Sequence, residues 1–359
     1  MEISDTQMQL IDFGSDKISK WEKERKLCSV HFELTPKCNF KCIHCYLQNV
    51  HSQTQLSFER VIEILDILYE QGVLFITFTG GEIFLRDDFL DIYMYAKKRG
   101  FLIELFTNAS LITDYAINIL EKYPPILVDV SLYGACEETY KKITGISNMF
   151  DKVIDSCKKM VDKNIRVALK SPILTLSFSE LEEMKKIAES MNVPFRASFD
   201  ITPTIENDIS TKIYQIPYES VLKCEYDDFI SSEPDKSSVP SMAISARNNN
   251  LIYRCKIGKI SCVIDYNGRL CPCMKLKHKG SIITRENFGE IWNSFAAIQT
   301  TTASNNYKCI NCPAYDYCDI CPAEMESLYG DVEHIDETFC KVAFARKEFH
   351  DTKKPPVLI

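Results

Sequence analysis

A regular alternation of apolar runs and helical segments, from His31 to Pro203, constrains the fold of this chain more than any other feature. The run VLFITFTGG (73–81) is apolar and rich in β-branched residues, as expected of a strand covered on both faces. The segment before it, 57–72, has apolar residues at helical spacing behind Ser57 as a cap, which indicates an amphipathic helix. Strands separated by such helices need parallel crossover connections, so the alternation predicts an α/β fold.

Six strand–helix units fit this pattern, fewer than the eight of a closed barrel. The predicted strands are 31–36, 73–81, 102–108, 126–134, 165–174 and 195–203. The predicted helices are 57–72, 87–99, 113–122, one helix or a pair within 137–163, and 179–191. We therefore expect a partial (β/α)6 TIM-like barrel, with functional groups at the carboxyl ends of its strands.

The pattern breaks after the sixth strand. The segment ISSEPDKSSVPS (230–241) is polar and contains prolines, which is typical of a connector. The short elements beyond it are rich in cysteine and poor in apolar periodicity, so a bound metal is expected to stabilise them. The predicted divisions are an N-terminal extension (1–30), the barrel (31–225), a connector (226–254), a small cysteine-rich α+β domain (255–340) and a C-terminal helix or tail (341–359).

Sixteen cysteines in 359 residues are the most informative part of the composition. No secretion signal precedes them, so we expect a reducing, cytoplasmic location, where clustered thiols more often bind metal than form disulfides. The net charge of −8 argues against a nucleic-acid partner. No apolar segment approaches the roughly 18 residues that a membrane span needs.

Three cysteines spaced as Cys38-x3-Cys42-x2-Cys45 directly follow the first predicted strand. Three thiolates this close can hold one iron–sulfur cluster and leave one iron open for a substrate or cofactor. A zinc site with three cysteine ligands and unrelated core thiols are the alternatives. Core thiols, however, have no reason to repeat at this spacing.

Together with the aromatic Tyr46 that follows them, these cysteines resemble the motif of the radical S-adenosylmethionine (radical SAM) superfamily. Gly80-Gly81-Glu82, at the end of the second predicted strand, resembles the glycine–glycine–glutamate motif of that superfamily. The resemblance implies a 4Fe–4S cluster whose open iron binds the amino and carboxylate groups of S-adenosylmethionine. The bare glycine backbone would let this ligand approach, and Glu82 would accept hydrogen bonds from its ammonium group.

The resemblance implies further contacts with S-adenosylmethionine at the ends of the next three strands. Asn108, Ser131 and Lys170 lie where relatives present polar groups to the nucleoside or the carboxylate. Structural alternatives compete with these roles: Asn108 can cap a turn, and Lys170 can be a solvated strand end. Both interpretations stay open at this point.

The C-terminal cysteines resemble the SPASM extension of peptide-modifying radical SAM enzymes, which holds two auxiliary 4Fe–4S clusters. By this resemblance the outer cluster is held by Cys309, Cys312, Cys318 and Cys340, and the inner one by Cys255, Cys273 and Cys321. Zinc is the alternative for paired cysteines. Zinc pairs, however, are usually separated by about 15–20 residues, and the two pairs here lie much closer together.

The fourth ligand of the inner cluster is not given by the pattern, because no thiol precedes Cys255 where relatives often have one. If Asn267-Gly268 forms a two-residue hairpin turn, Cys262 lies directly across from Cys273, with side chains about 5 Å apart. Cys271 shares that face of the strand. We favour Cys262, with Cys271 or an open iron that binds the peptide substrate as alternatives.

The resemblance implies reductive cleavage of S-adenosylmethionine to a 5′-deoxyadenosyl radical, which takes hydrogen from an unactivated carbon while the protein orients it and excludes water. Sulfatase-activating relatives have an aspartate where this chain has Met274. Relatives that join glutamate to tyrosine have an aspartate at the position of Cys318. Both subclasses are therefore disfavoured, and the expected function is maturation of a ribosomally synthesised peptide by a crosslink, with a thioether favoured.

The expected partners are a precursor peptide and an electron donor such as flavodoxin or ferredoxin. About 30 residues precede the first strand, too few for a fused leader-binding domain, so the leader would bind the barrel or a separate protein. One alternative is a Cα-epimerase that uses a cysteine as hydrogen donor: Cys28, Cys136, Cys157 or Cys224. Others are a porphyrin-type substrate, an iron–sulfur electron-transfer protein and a zinc-ribbon module; the Gly-Gly-Glu motif disfavours the last two.

Overall fold

The computed structural model describes residues 15–48, 55–231 and 250–352. The described residues form two compact units, one within 15–215 and 256–295 and the other within 216–255 and 296–352. Residues 256–295 thus pack with the barrel unit, although the sequence groups them with the cysteine-rich domain; the predicted domain boundaries stay a prediction. Parts of the predicted extension, connector and tail (1–14, 232–249 and 353–359) lie outside the described residues.

The barrel unit is built on one sheet of nine strands in the order β6-β5-β4-β3-β2-β1-β7-β8-β9. The strands are β1 (Ser29–Thr35), β2 (Phe75–Gly80), β3 (Leu102–Thr107), β4 (Leu127–Ser131), β5 (Val167–Pro172), β6 (Phe195–Ser198), β7 (Ser261–Ile264), β8 (Arg269–Cys271) and β9 (Ser281–Ile282). Strands β1 to β6 are parallel, and β7 adds to β1 in parallel. Strands β8 and β9 are antiparallel. The predicted partial (β/α)6 barrel is confirmed and carries three additional short strands beside β1.

Helices connect the parallel strands, as the crossover rule requires. The α-helices of the described chain are α1 (Ser15–Glu24), α2 (Phe58–Glu70), α3 (Phe89–Lys98), α4 (Asp114–Lys122), α5 (Glu137–Thr144), α6 (Phe150–Asp162), α7 (Leu181–Ser190), α8 (Tyr218–Ser231), α9 (Phe288–Ser294), α10 (Ala296–Gln299), α11 (Pro322–Tyr329) and α12 (Glu337–Thr352). Helix α2 begins at its predicted cap, where the Ser57 hydroxyl accepts a hydrogen bond from the Arg60 N–H at 3.2 Å. The predicted region 137–163 is a pair of helices, since Gly145 ends α5 in the left-handed conformation.

The two faces of the parallel strands differ in polarity, because successive side chains point to opposite sides. On β1, Val30, Phe32 and Leu34 are fully buried, and each such side chain contributes about 1.5–3 kcal/mol to stability. The opposite face carries Glu33 on β1 and Asp129 on β4, whose side chains are also buried. These strands therefore have one polar face, which can supply side chains for a binding or catalytic site.

The predicted two-residue turn at Asn267-Gly268 is wrong. Four residues (265–268) separate β7 from β8, and because the Asp265 N–H donates to the Arg269 carbonyl at 3.1 Å, the loop itself has three residues, 266–268. The Asp265 carboxylate accepts hydrogen bonds from the backbone N–H groups of Asn267 and Arg269, both at 3.0 Å. Gly268 adopts a left-handed φ of 78°, as the bulge of a three-residue hairpin loop requires. The register therefore pairs Val263 with Cys271.

The second unit consists of short elements around a small apolar cluster. Helices α8 and α12 contribute Leu222, Tyr226 and Phe349 to this cluster. Most of the remaining chain between α10 and α11 is irregular or forms single 3₁₀ turns. Over the whole described chain, no helix is long and apolar enough to cross a membrane.

Candidate active site

The three N-terminal cysteines lie on the loop that leaves the carboxyl end of β1. The N–H groups of Lys41 and Ile43 donate to the last two carbonyls of α5, at 2.8 and 3.0 Å. A hydrogen bond of 3.1 Å from the Cys45 N–H to the Cys42 carbonyl closes a turn inside the loop. The sheet and a helix thus fix the backbone that carries the thiols.

These thiols are suited to an iron–sulfur cluster rather than to the free state. Cys42 is buried, and Cys38 and Cys45 are half-buried. Burial raises the pKa of all three thiols, that of Cys38 to about 12, and at Cys42 the two neighbouring thiols raise it further. A thiolate here therefore needs a compensating positive charge, which bound iron supplies. Among the described residues no three Cys, His, Asp or Glu side chains are placed to hold a metal ion, whereas the ligands of a cubane each bind a different iron around a cavity.

Gly80 and Gly81 allow the end of β2 to touch the segment that leads into the cysteine loop. The Gly81 N–H donates to the Thr35 carbonyl at 2.7 Å, and the next N–H donates to the Lys37 carbonyl at 2.8 Å. A Cβ atom at Gly81 would lie 2.1 Å from the Lys37 oxygen, and one at Gly80 would lie 2.3 Å from the Thr35 oxygen. Glycine is therefore required here for backbone packing, beyond any contact with a ligand.

Glu82 lies beneath this site and has protein partners. Its fully buried carboxylate accepts hydrogen bonds from the Thr107 hydroxyl and the Asn108 N–H, both at 2.7 Å, and from the Phe84 N–H at 3.1 Å. Burial raises the pKa of this carboxyl group, and the three hydrogen bonds oppose that rise. The structure thus gives Glu82 a role in joining the ends of β2 and β3, and its expected contact with a ligand ammonium group stays a prediction.

One cavity of about 230 Å³ brings most of the predicted residues together. Its walls include the predicted residues Cys38, Cys42, Cys45, Tyr46, Gly80, Gly81, Asn108, Ser131 and Lys170. Asn108 also serves its turn, because its side-chain oxygen accepts hydrogen bonds from the N–H and the hydroxyl of Ser110. The structural alternative for Asn108 is therefore present together with a place at the cavity wall.

The aromatic residue after the third cysteine belongs to a buried network that sequence reasoning missed. The Tyr46 hydroxyl donates to the Glu33 carboxylate at 2.8 Å, and the Lys277 ammonium contacts both oxygens of that carboxylate at 2.7 Å. Lys277 also lies 5.2 Å from the centre of the Tyr46 ring. Glu33 and Lys277 are 244 positions apart in sequence, so no local sequence pattern predicts their pairing.

Lys170 is held over the polar face of the sheet rather than in solvent. Its ammonium lies 3.3 Å from the Asp129 carboxylate and 3.0 Å from the centre of the Phe106 ring. Burial lowers the pKa of Lys170, and the Asp129 carboxylate opposes this effect. This pairing argues against the alternative of a solvated strand end, and Lys170 lines the cavity.

In the second unit, electrostatic effects on the thiol pKa values link each of the four thiols predicted for the outer cluster to at least one of the others. After burial, the neighbouring thiols of Cys309 and Cys312 are the largest causes that raise the pKa of Cys340. Cys309 acts on Cys318 in the same direction. Their role as ligands stays a prediction, but the described fold places these side chains together.

Two arginines hold the loop that carries these cysteines. Arg254 donates to the carbonyls of Tyr315 and Cys318, at 2.8 and 2.6 Å, and stacks on the Tyr315 ring at 4.2 Å. Arg346 of α12 forms a bidentate pair with Glu225 of α8 and contacts Asp319 at 2.5 Å. Charged side chains thus order a loop that no sheet supports.

The predicted inner set of Cys255, Cys273 and Cys321 stays a prediction. The hairpin register, however, removes the geometric reason for Cys262 as fourth ligand, because Cys273 lies beyond the end of β8. Cys262 is buried in the core, and burial, then the thiols of Cys271 and Cys28, raise its pKa. Cys271 is also fully buried, and its thiol donates to backbone carbonyls.

Comparison with known families gives two matches. The family model of the radical SAM superfamily matches residues 32–191, and the model described as an iron–sulfur cluster-binding domain, SPASM, matches residues 255–322. The first range runs from within β1 to the end of α7 and includes the cysteine loop and the glycine pair. The second covers the β7–β8 hairpin and most of the C-terminal cysteines.

Individual relatives include two curated proteins and one solved structure. The antilisterial bacteriocin subtilosin biosynthesis protein AlbA of Bacillus subtilis is 26% identical over 309 residues, 81% of this chain and 66% of AlbA. An AdoMet-dependent heme synthase of Methanosarcina barkeri is 21% identical over 87% of this chain and 95% of that protein. The structure of Streptococcus suis SuiB bound to the precursor peptide SuiA has a TM-score of 0.68 at 17% identity, covering 93% of this chain and 81% of SuiB. At that identity the match supports the fold.

Proposed function

Because the chain belongs to the radical SAM superfamily of iron–sulfur enzymes and carries a SPASM domain, we propose that it modifies a ribosomally synthesised precursor peptide. Two comparisons support a peptide as substrate. AlbA is described as a bacteriocin biosynthesis protein, and SuiB was solved with its precursor peptide. This chain spans 66% of AlbA, so its own substrate and partners, including an electron donor and a leader-binding protein, are part of the proposal.

The observation that carries the proposal is the shared cavity at the strand ends. The three loop thiols face the same space as the glycine pair, Asn108, Ser131 and Lys170. In the proposal the thiols hold the 4Fe–4S cluster, and polar groups from β3, β4 and β5 orient S-adenosylmethionine. Lys170 would offer its ammonium to the ligand carboxylate, since Asp129 already fixes its position. When bound, the cluster supplies the electron that cleaves S-adenosylmethionine and so yields the radical that removes a substrate hydrogen.

A thioether crosslink is the product that we propose. Its formation first removes one hydrogen atom from the attacked carbon. When the cysteine sulfur then bonds to that carbon, the thiol loses its proton and one electron is released. An auxiliary cluster held by the C-terminal cysteines, such as the predicted set of Cys309, Cys312, Cys318 and Cys340, would accept that electron. The proposal therefore uses the C-terminal clusters, whereas simple hydrogen return to carbon does not need them.

Two alternatives differ in their support. A heme-type substrate is favoured by the match with the heme synthase, which covers 95% of that protein. For a Cα-epimerase, none of the candidate donor thiols Cys28, Cys136, Cys157 and Cys224 is among the described residues that line the cavity. Peptide crosslinking accounts for the AlbA match and the auxiliary cysteines without such a donor.

The test is 5′-deoxyadenosine formation by anaerobically reconstituted protein with dithionite and S-adenosylmethionine. Replacing Cys38, Cys42 and Cys45 by alanine should abolish product while the C-terminal iron remains. Cys157→Ala, which removes a buried thiol of α6, is the control and should retain product. A cysteine-containing peptide encoded beside this gene should then lose a pair of hydrogen atoms per crosslink by mass spectrometry. Turnover by the triple variant would refute the assigned site, and an unmodified peptide would favour the heme-type substrate.

A further inference from the structure

A second cavity, of about 380 Å³, adjoins the one that holds the cluster residues. The two cavities share His44, Ser131, Tyr133 and Lys170, and Arg196 and Ser198 of β6 line the second cavity alone. We call this second space the β6 cavity. Its volume is in the range of small-ligand sites, and its shared wall places any occupant next to the candidate S-adenosylmethionine site.

Arg196 gives the β6 cavity a positive group with several N–H donors available for a ligand. Its guanidinium forms an ion pair with the Asp129 carboxylate at 2.6 Å. A guanidinium carries five N–H donors in a rigid fork, so one carboxylate oxygen leaves most of them available at the cavity wall. The Arg196 side chain is 22% exposed, which keeps this fork accessible to an occupant.

The strand register shows which charges face this fork. Ser131, Lys170 and Arg196 are in register on three neighbouring strands, so the two cations lie side by side. Asp129, one layer deeper on the same face, gives the same oxygen to both cations. The Glu104 carboxylate lies a further layer down, where it accepts a hydrogen bond from Thr77.

Two other ionisable groups near this face, His31 and Asp200, do not form ion pairs with Arg196 at the cavity wall. His31 of β1 lies deeper, with its ring beside Phe106 at 6.2 Å. Asp200, which follows β6, is half exposed and pairs with Lys275 at 3.7 Å. At the level of the cavity, the wall therefore presents the side chains of Lys170 and Arg196 over the Asp129 carboxylate.

A further observation points to a polar occupant. The His44 Nδ1 atom is buried and has no hydrogen-bond partner among the described residues. Buried polar atoms are nearly always satisfied, so an unpaired nitrogen at the wall shared by the two cavities indicates a partner from a molecule bound in one of them. As a donor, this nitrogen would bind the same class of acceptor as the guanidinium.

We propose that the β6 cavity binds a carboxylate side chain of the peptide substrate, and that Arg196 selects for this negative charge. The inference rests on the proposed function, since it names the chemistry of the substrate residue held beside the reacting carbon. A glutamate or aspartate near the modified residue would place its carboxylate on the Arg196 fork. A neutral amide of the same shape would leave the fork without its ionic partner.

The test uses the reconstituted holoenzyme with S-adenosylmethionine and two probes of equal size, N-acetylglutamate α-amide and N-acetylglutamine α-amide. Their dissociation constants are measured by calorimetry. We expect the charged probe to bind the wild-type protein about tenfold more tightly, as a charge-assisted hydrogen bond predicts. Arg196→Met should abolish this preference and Arg196→Lys should keep part of it. Arg166→Met, an exposed arginine at the opposite end of β5, is the control and should keep all of it.

The preference ratio also separates this inference from the proposed function. Equal or undetectable binding of both probes to the wild-type protein would overturn the inference, and so would an unchanged preference in Arg196→Met. Failure of the wild-type protein to form 5′-deoxyadenosine would instead overturn the proposed function. A merely structural role of Arg196 would weaken both probes alike and leave their ratio unchanged.

Discussion

The two cysteine-rich regions of this chain are built in different ways. In the barrel, the loop of Cys38, Cys42 and Cys45 is tied by backbone hydrogen bonds to a helix end and lies against two strands. In the second unit, the loop around Cys309 to Cys321 is held by the side chains of Arg254 and Arg346. The first site is formed by the fold itself, whereas we expect the second to depend on its bound clusters for much of its order.

The largest effect should follow from a change that breaks the backbone contact in the barrel. In Gly81→Ala the new Cβ would lie 2.1 Å from the Lys37 carbonyl, so the cysteine loop or the end of β2 must move. A displacement near 1 Å costs about 100-fold in rate, so 5′-deoxyadenosine formation should fall at least that far. Iron content and product are measured on the same anaerobic samples.

Gly289→Ala is the matched control, because no atom lies within 4 Å of a Cβ placed there on helix α9. It should leave turnover unchanged and stabilise the protein by about 0.5–1 kcal/mol. Wild-type turnover by Gly81→Ala would mean that the close backbone contact does not set the geometry of the site.

The next effect concerns the buried charge pair of the barrel unit. Lys277→Met would leave the fully buried Glu33 carboxylate without its cation, at a cost of about 3–5 kcal/mol in the free energy of unfolding. The loss should be smaller in the double variant with Glu33→Gln, which removes the uncompensated charge. Lys158→Met, at an exposed position on helix α6, should change stability by less than about 0.5 kcal/mol. Equal losses in the single and double variants would contradict the pairing.

The arginine-held loop gives a smaller and more local prediction. Arg254→Met removes two hydrogen bonds to the cysteine loop, so less iron should be retained in the second unit. The electron paramagnetic signal of the barrel cluster, and its change on adding S-adenosylmethionine, should persist. Arg285→Met removes an exposed ion pair with Glu70 and should retain all iron. Loss of the barrel signal in Arg254→Met would show that the two regions do not behave separately.

The comparison also shows what a sequence can predict. The barrel strands and the loop thiols were predictable because periodicity and the spacing of Cys38 to Cys45 are local properties of the chain. The glycine pair was predictable as a motif, but its packing against the Thr35 and Lys37 carbonyls is a tertiary contact.

Three features lay beyond sequence reasoning for identifiable reasons. The pairing of Glu33 with Lys277 joins residues 244 positions apart. The hairpin register depends on the Asp265 side chain, which stabilises a three-residue loop instead of the two-residue turn that Asn267-Gly268 suggests. The partners of Glu82 follow from the meeting of two strand ends. Each of these features depends on a side-chain contact that forms only when the chain folds.

The smallest effect at neutral pH comes from His31, on the polar face of the barrel sheet. Burial, and then the Lys170 charge, lower the pKa of this imidazole from its ordinary 6.5 to about 4. In the unfolded chain His31 binds a proton below about pH 6.5, but in the folded protein it does so only near pH 4. Stability should therefore be intact at pH 7 and fall by up to about 3 kcal/mol as the pH drops to 4.

The check on His31 is the slope of unfolding free energy against pH. His31→Phe keeps an aromatic ring beside Phe106 and removes the titration, so the slope between pH 6.5 and 4 should be shallower than in the wild-type protein. Some slope should remain, because burial also lowers the pKa of His44 to about 4. An equal slope in His31→Phe and in the wild-type protein would contradict this prediction. The acid sensitivity of the barrel unit would then come from groups outside the polar face of the sheet.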